Sequence, residues 1–290
     1  MRQARAAWLF VTPALVLLLV FFFLPVIAGL LLSFTDFDIY AIGDPGTARF
    51  VGLHNYVELF QRPVFWKALG NTLYFVAVGG PLSVLVSLGA ALLLSGKSVR
   101  LRSLFRTVFF VPVVTTLVAV AILWRALYHP HYGWINAALG VIGIPPVDWL
   151  GDPHWSMPAI ILLAVWRNFG YNMLIFTAGL GSIPEELYEA AKIDGAGWCQ
   201  TFRHVTLPGL APTFLFVAVT TMIGYFQIFA EPYVMTQGGP LQSTTTLVLM
   251  MYEEGFRWWR MGVAATIAFF LLVLTLIGTL IQLRVQRIQQ

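Results

Sequence analysis

Six stretches of this chain are almost wholly apolar, each near or above the ~20 residues a helix needs to cross a bilayer. They are residues 8–34, 68–96, 107–124, 157–180, 207–230 and 261–283. The first has no charge between Arg5 and Asp36, the second has none at all, and the fourth is interrupted by Arg167. Pro25, Pro81, Pro112, Pro208 and Pro212 fall in or beside these stretches. Such kinks are tolerated in a membrane when neighbouring helices satisfy the freed carbonyls. The pattern predicts an all-α, polytopic protein with six transmembrane helices and one domain over residues 1–290. The first stretch is expected to be retained. Its apolar core exceeds the ~7–15 residues of a signal peptide, and residues 31–34 offer no small-x-small cleavage site.

The polar residues sit between the stretches and set an orientation. With the amino terminus inside, the inner segments carry ten basic residues: Arg2, Arg5, Lys97, Arg100, Arg102, Arg106, Lys192, Arg203, Arg284 and Arg287. The outer segments carry five: Arg49, Arg62, Lys67, Arg257 and Arg260. Cytoplasmic loops hold the excess of Lys and Arg, and acidic residues count little. Both termini are therefore expected inside. The outer segments hold a turn, Gly43-Asp44-Pro45-Gly46, and aromatics that suit an interfacial belt, Tyr128, Tyr132, Trp134, Trp149 and Trp155. Arg125 is expected to snorkel to the outer interface.

Composition removes other classes. Hydrophobic residues make up 59% of the chain and charged ones 10%, against about 25% charged in a soluble domain. The net charge of +4 lies in loops between apolar runs, which speaks for a membrane and against nucleic acid. The single cysteine, Cys199, allows no intramolecular disulfide. His129-Pro130-His131 has no cysteine or carboxylate at ligand spacing, so no metal site is expected. Gly96-Lys97-Ser98 resembles the end of a phosphate-binding loop, but Ala91 stands where that pattern needs glycine, and a leucine-rich helix precedes it instead of a strand. No nucleophile elbow or paired catalytic carboxylates stand out. The chain is expected to be no enzyme, and its energy to come from a partner.

One inner segment, 181–206, is polar and amphipathic between two apolar runs. Ser182-Ile183-Pro184-Glu185 reads as a capping box, with Pro184 in the first turn. A helix is expected from about 185 to 193, broken at Asp194-Gly195 because glycine reaches left-handed backbone freely. A second short helix is expected at 198–204. Leu187, Ala191, Trp198 and Phe202 form an apolar stripe. A helix lying on lipid headgroups is the plainer alternative, but such helices are usually rich in Lys and Arg, whereas this one is acidic. Small residues at 190, 191 and 195–197 admit another protein's backbone.

Within it stand Glu189-Ala190-Ala191, three residues, Gly195, nine residues, then Val205-Thr206-Leu207-Pro208. This resembles the EAA loop of ABC-importer permeases, with Val205 in place of the usual Ile. The segments 8–14 (WLFVTPA), 50–56 (FVGLHNY), Asn71-Thr72, 132–136 (YGWIN) and 236–240 (TQGGP) are similar to the carbohydrate-uptake branch, the maltose- and glycerol-phosphate-type permeases. The resemblance covers nearly the whole chain. It lacks the extra amino-terminal helices and large outer domain of some maltose-type subunits, which implies the compact six-helix version of the type I importer fold.

The resemblance implies a permease subunit of a binding-protein-dependent importer for a sugar or sugar derivative in a bacterial or archaeal cytoplasmic membrane. Its implied partners are a second permease, two ATP-binding cassette subunits that hold the ATP and Mg, and an extracytoplasmic binding protein. No cofactor is expected in this chain. Glu189, Ala190, Ala191, Asp194, Gly195, Leu207 and Pro208 are the implied ATPase-coupling residues.

Polar groups at membrane depth mark a possible path. A charge there costs ~2.5–3.5 kcal/mol on insertion scales. Arg167, Asn168, Tyr171, Asn172, Tyr225, Gln227 and Glu231 could line an aqueous sugar route. The alternative is a structural hydrogen-bond network, with Arg167 paired to Glu231. A rival function, an ion-gradient-driven secondary transporter, would place paired carboxylates or half-helices at midplane. No acidic residue lies in the middle of any stretch.

Overall fold

The computed structural model describes residues 2–44, 46, 48–96 and 100–287. Lys97, Ser98 and Pro45, which entered the readings above, lie outside the described residues. Among the described residues, four helical stretches are long and apolar enough to cross a membrane: Phe10–Ser33, Pro63–Ser95, Pro153–Gly181 and Met261–Arg284. Two further candidates are bent pairs, Arg102–Val114 with Leu117–Leu127 at 100° and Trp198–Gly209 with Ala211–Phe226 at 68°. Counting each pair once gives six. No strand occurs among the described residues, only an isolated antiparallel bridge between Thr35 and Phe50.

The third and fifth stretches, expected as kinked spans at 107–124 and 207–230, are thus each a bent pair of helices. At the third, Thr115 and Thr116 are extended. Pro112 lies inside the helix before them, and the Thr115 hydroxyl takes the Val111 carbonyl at 2.9 Å. A proline that removes one ladder bond and a hydroxyl that competes for another end the helix there. At the fifth, the helix proper ends at Phe226, and Gln227 to Phe229 is non-helical before the short helix Ala230–Met235.

Prolines leave a second mark. The wide π turns Leu19–Phe23, Phe75–Gly79 and Phe202–Thr206 each end two residues before a proline, Pro25, Pro81 and Pro208. In each case the carbonyl four residues before the ring belongs to the wide turn. Widening relieves the clash that the ring makes with that carbonyl, so the helix continues.

The contacts group into two compact units, residues 1–66 with 250–273, and residues 67–249 with 274–290. In the first, the buried Asn55 amide donates to the carbonyls of Ser33 (2.9 Å) and Thr35 (2.8 Å). A closed ring of charges joins helix His54–Gln61 to residues 254–260. Arg62 binds Glu58 and, at 2.6 Å, Glu254, while Arg260 binds Glu58 at 2.7 Å and Glu254 at 3.5 Å. The Arg260 hydrogen bond, opposed by burial and aided by Arg62, holds the Glu58 carboxyl below its ordinary 4.5.

In the second unit, helix Pro153–Gly181 packs on Gly80–Ser95, Arg102–Val114 and Ala211–Phe226. One buried cluster gathers Phe75, Trp124, Tyr128, Ile160 and Tyr225, and another Leu88, Met173, Phe176, Leu210 and Val217. Asn71, inside helix Pro63–Tyr74, donates to the carbonyls of Gln242 and Thr245, 2.9 Å each. Tyr128 and Trp149 depart from the expected belt. The Tyr128 ring is buried with its hydroxyl donating to the Ala159 carbonyl at 2.9 Å, and the Trp149 indole donates to Asn136 at 2.8 Å. Tyr132, Trp134 and Trp155 are exposed. The exposed Arg125 reaches the Val234 carbonyl at 3.5 Å.

Candidate functional site

Four polar side chains recur on one face of helix Pro153–Gly181. Arg167, Asn168, Tyr171 and Asn172 fall at positions i, i+1, i+4 and i+5 of Pro153–Gly181, a spacing that stacks them along one stripe. Opposite them, helix Ala211–Phe226 presents Thr220, Thr221, Gly224 and Tyr225, and its broken end adds Gln227, Phe229 and Glu231. Together these line a cavity of about 420 Å³. All seven residues singled out as a path from the sequence, Arg167, Asn168, Tyr171, Asn172, Tyr225, Gln227 and Glu231, stand on its wall.

The wall is partly fixed and partly unsatisfied. Asn172 donates to the Thr221 hydroxyl at 2.9 Å, which ties the two helices together. Tyr225 packs on Phe75 with ring centroids 5.0 Å apart. The Nε of Arg167 is buried without a hydrogen-bond partner, and the buried Tyr225 hydroxyl lies beside the side chains of Ser83 and Asn168. Glu231 is only 8% exposed. No ion pair joins Arg167 to Glu231 among the described residues, so the structural pairing considered above is absent from this conformation. Buried polar atoms without partners are rare in proteins.

Thr220 and Thr221 are wall residues that sequence reasoning passed over. A signal was present, because they are adjacent threonines in the middle of a largely apolar helix. Nothing in the sequence said that Thr221 meets Asn172, 49 positions away.

The second region is the loop after the long helix. Helix Glu185–Ile193 forms as expected, but its cap differs. Pro184 holds the cap position with no side-chain bond, and Ser182 donates instead to the Gly179 carbonyl at 2.8 Å. The preceding helix runs on to Gly181, which makes Ser182 its last-turn partner rather than the next helix's first. Gly195 takes φ +75° and turns the chain. The Gly197 amide then donates to Gln200 at 2.9 Å, opening helix Trp198–Thr201, which continues through the wide turn Phe202–Thr206 and so runs past the expected end at 204.

This loop is held from within and bare outside. Tyr188 meets Thr206 hydroxyl to hydroxyl at 3.2 Å, a contact that spacing alone did not announce. Ile183 is buried, and Trp198 and Phe202 stack with rings 5.6 Å apart. Glu189, Ala190, Asp194, Gly195, Leu207 and Pro208 are exposed and Ala191 is half-buried. Ile193 and Trp198 are 86% and 77% exposed, large apolar area for a polar loop. Cys199 is free and exposed. No group of residues able to hold a metal ion occurs among those described.

Residues 83–288 match the family of binding-protein-dependent transport system inner membrane components. The chain is 39% identical over 280 residues to the lactose transport system permease protein LacF of Rhizobium radiobacter, covering 95% of this chain and 92% of that one. It is 36% identical to the arabinooligosaccharides transport system permease protein AraP of Bacillus subtilis, over 97% and 88% of the two chains. Among solved structures, a bacterial ABC transporter involved in import of the acidic polysaccharide alginate superimposes with a TM-score of 0.80 at 25% identity, over 99% of this chain and 96% of that one. Proteins of this kind are membrane permeases and not enzymes. The chain belongs to the family of binding-protein-dependent transport system inner membrane components.

Proposed function

We propose that this chain is one of two permease subunits of an ATP-driven importer for a sugar or sugar derivative. Its cargo passes along the cavity at Arg167, Asn168, Tyr171, Asn172, Tyr225, Gln227 and Glu231. Two ATP-binding cassette subunits, which carry the ATP and Mg, dock on the loop at 181–206 through Glu189, Ala190, Ala191, Asp194, Gly195, Leu207 and Pro208. An extracytoplasmic binding protein delivers cargo from the other side, and both termini lie in the cytoplasm. The observation that carries this reading is the bare face of that loop, which offers a glycine turn, small residues and exposed apolar side chains between two membrane helices. The names of the relatives support the sugar class, lactose and arabinooligosaccharides among them.

The test is co-expression with the neighbouring transport subunits, followed by purification and uptake. Recovery of a four-subunit complex whose ATPase rises with a sugar-loaded binding protein, and whose uptake stops with vanadate, is the expected result. Uptake that ignores vanadate and collapses with an ionophore would install the secondary-transport reading instead.

A further inference from the structure

We propose that helix Trp134–Val141, between the third and fourth spans, is seated in the lipid interface on that side of the membrane. It acts as a foot that holds the end of the bent third span at a fixed depth. The proposal needs only the spans on either side, and stands apart from the cargo and coupling readings above.

The helix is turned inside out. Trp134, Ala137, Ala138, Val141 and the capping Ile142 fall at i, i+3, i+4, i+7 and i+8, the spacing of one helical face. A surface helix of a soluble domain turns such a face to its core. Here it is the bare one, with Trp134 79%, Val141 86% and Ile142 70% exposed and both alanines exposed. The opposite face is held by the protein. Asn136 is buried there, and its amide donates to the carbonyls of Pro130 at 3.0 Å and Val147 at 2.8 Å. Its side-chain oxygen accepts from the Val147 amide at 3.3 Å as well as from the Trp149 indole. That indole packs on Tyr128, which shares a buried cluster with Tyr225 of the cavity wall. The foot is thus latched to the core that shapes the cavity.

Lipid is the cover that fits. No Lys, Arg, Asp or Glu stands between Arg125 and Asp148. The turn after the helix also satisfies its own backbone. The amides of Ile142, Gly143 and Ile144 each find a carbonyl at 3.1 Å, on Leu139, Gly140 and Leu139. Pro145 and Pro146 have no amide to satisfy, and Asn136 takes that of Val147. Water makes such closure unnecessary, whereas backbone that dips toward hydrocarbon must provide it. Eight residues reach about 12 Å, too short to cross a bilayer. Five residues are too few by themselves for a lasting protein interface, which takes about 20–30 a side. A binding protein that docks and leaves would return the stripe to water in every cycle. Trp134 leads the helix with an apolar ring and a polar tip, as residues of the interface do. Interfacial helices usually carry Lys and Arg on their second face. This one needs none, because its second face is bound to the protein instead of to headgroups.

The experiment places nitroxide spin labels, one at a time, at Trp134→Cys, Ala138→Cys and Val141→Cys in a Cys199→Ser background. The chain is purified with whatever subunits accompany it, in nanodiscs of phosphatidylcholine and phosphatidylglycerol. Relaxation of each label is measured with oxygen, which concentrates in lipid, and with a nickel chelate, which stays in water. The expected result is stronger relaxation by oxygen at all three positions, at a depth of about 5–10 Å. A label at Leu241→Cys, on an exposed loop, should show the reverse. Ala137→Glu puts a charge on the stripe and should lower the oxygen-to-nickel ratio of the Val141→Cys label severalfold. Strong relaxation by the nickel chelate at the three positions means that the stripe faces water, and overturns the proposal. Labels reached by neither reagent mean that another protein subunit covers the stripe, and overturn it too. A ratio unmoved by Ala137→Glu does the same, since a foot held in lipid cannot ignore a charge on its face.

Discussion

A methyl group placed on Gly170 would lie 1.9 Å from the carbonyl oxygen of Phe109. Helices Pro153–Gly181 and Arg102–Val114 therefore meet backbone to backbone, as membrane helices do where small residues let them. The contact sits within one turn of Arg167, Asn168, Tyr171 and Asn172, and sets the depth at which those side chains enter the cavity. Gly170→Ala should force the helices apart and cost about 1–3 kcal/mol. The expected outcome is a lower unfolding temperature of the purified complex and reduced uptake, with the protein still inserted. Thermal unfolding followed by tryptophan fluorescence would measure it, and an unchanged transition would show that the bent third helix yields freely.

Gly195 poses a different problem. Nothing lies within 4 Å of the space a side chain would fill there, but its φ of +75° belongs to the left-handed region. Any L side chain pays about 1–2 kcal/mol in that region, and a branched one is strained further. Gly195→Val should leave insertion and the cavity intact while turning Asp194 and Trp198 out of register. Expected are loss of the ATP-binding subunits on purification, or hydrolysis without uptake. Glu189→Ala should do the same more mildly, since it takes away a carboxylate that can accept a charge-assisted hydrogen bond from the docked subunit without bending the chain. Full uptake by Gly195→Val would disconnect this loop from coupling.

Orientation is testable at two exposed side chains. Cys199→Ser removes the single native thiol. In that background Leu241→Cys, at a position 78% exposed, should react with a membrane-impermeant maleimide in intact cells. Ile193→Cys, at a position 86% exposed, should react only after the membrane is opened. The reverse pattern would invert the topology argued from basic residues.

The charge ring gives a pH dependence with a definite sign. Glu58 has its folded pKa depressed below 4.5, chiefly by Arg260. A depressed carboxyl contributes stability that is present above its unfolded pKa and is lost as pH falls through its folded one. Glu58→Gln should therefore lower the unfolding temperature by the same few degrees at pH 6 and pH 8. The gap should close below 4.5. A gap that persists into acid would mean that packing, not the ion pairs, holds the ring.

How far the sequence carried depends on which interactions are local. The apolar stretches announced the helices, and the short helix Glu185–Ile193 with its glycine turn was legible because both rest on near neighbours. The prolines were legible as kinks in general. Whether a given one widens a turn, as before Pro25 and Pro81, or joins with a threonine to break the helix, as at Pro112 and Thr115, depends on what the freed carbonyl finds. The cavity residues could be named from the rarity of polar groups at depth, yet the tie between Asn172 and Thr221 joins two helices far apart in sequence. Ser182 was misassigned because two helices compete for it, and the upstream one runs on to Gly181, the residue just before it.

The most apolar window of the first helical stretch, Phe10–Ser33, has no residue buried within the chain. Its side chains complete no core of their own, so inside this subunit natural drift among leucine, valine, isoleucine and phenylalanine meets no packing penalty along that window. Whatever restraint its sequence shows across related organisms must be imposed by lipid or by a neighbouring subunit. A swap library over residues 10–31 would read out that restraint directly. A uniformly permissive window would mark a lipid-facing tether, and an intolerant stripe with helical spacing would draw the footprint of the neighbour.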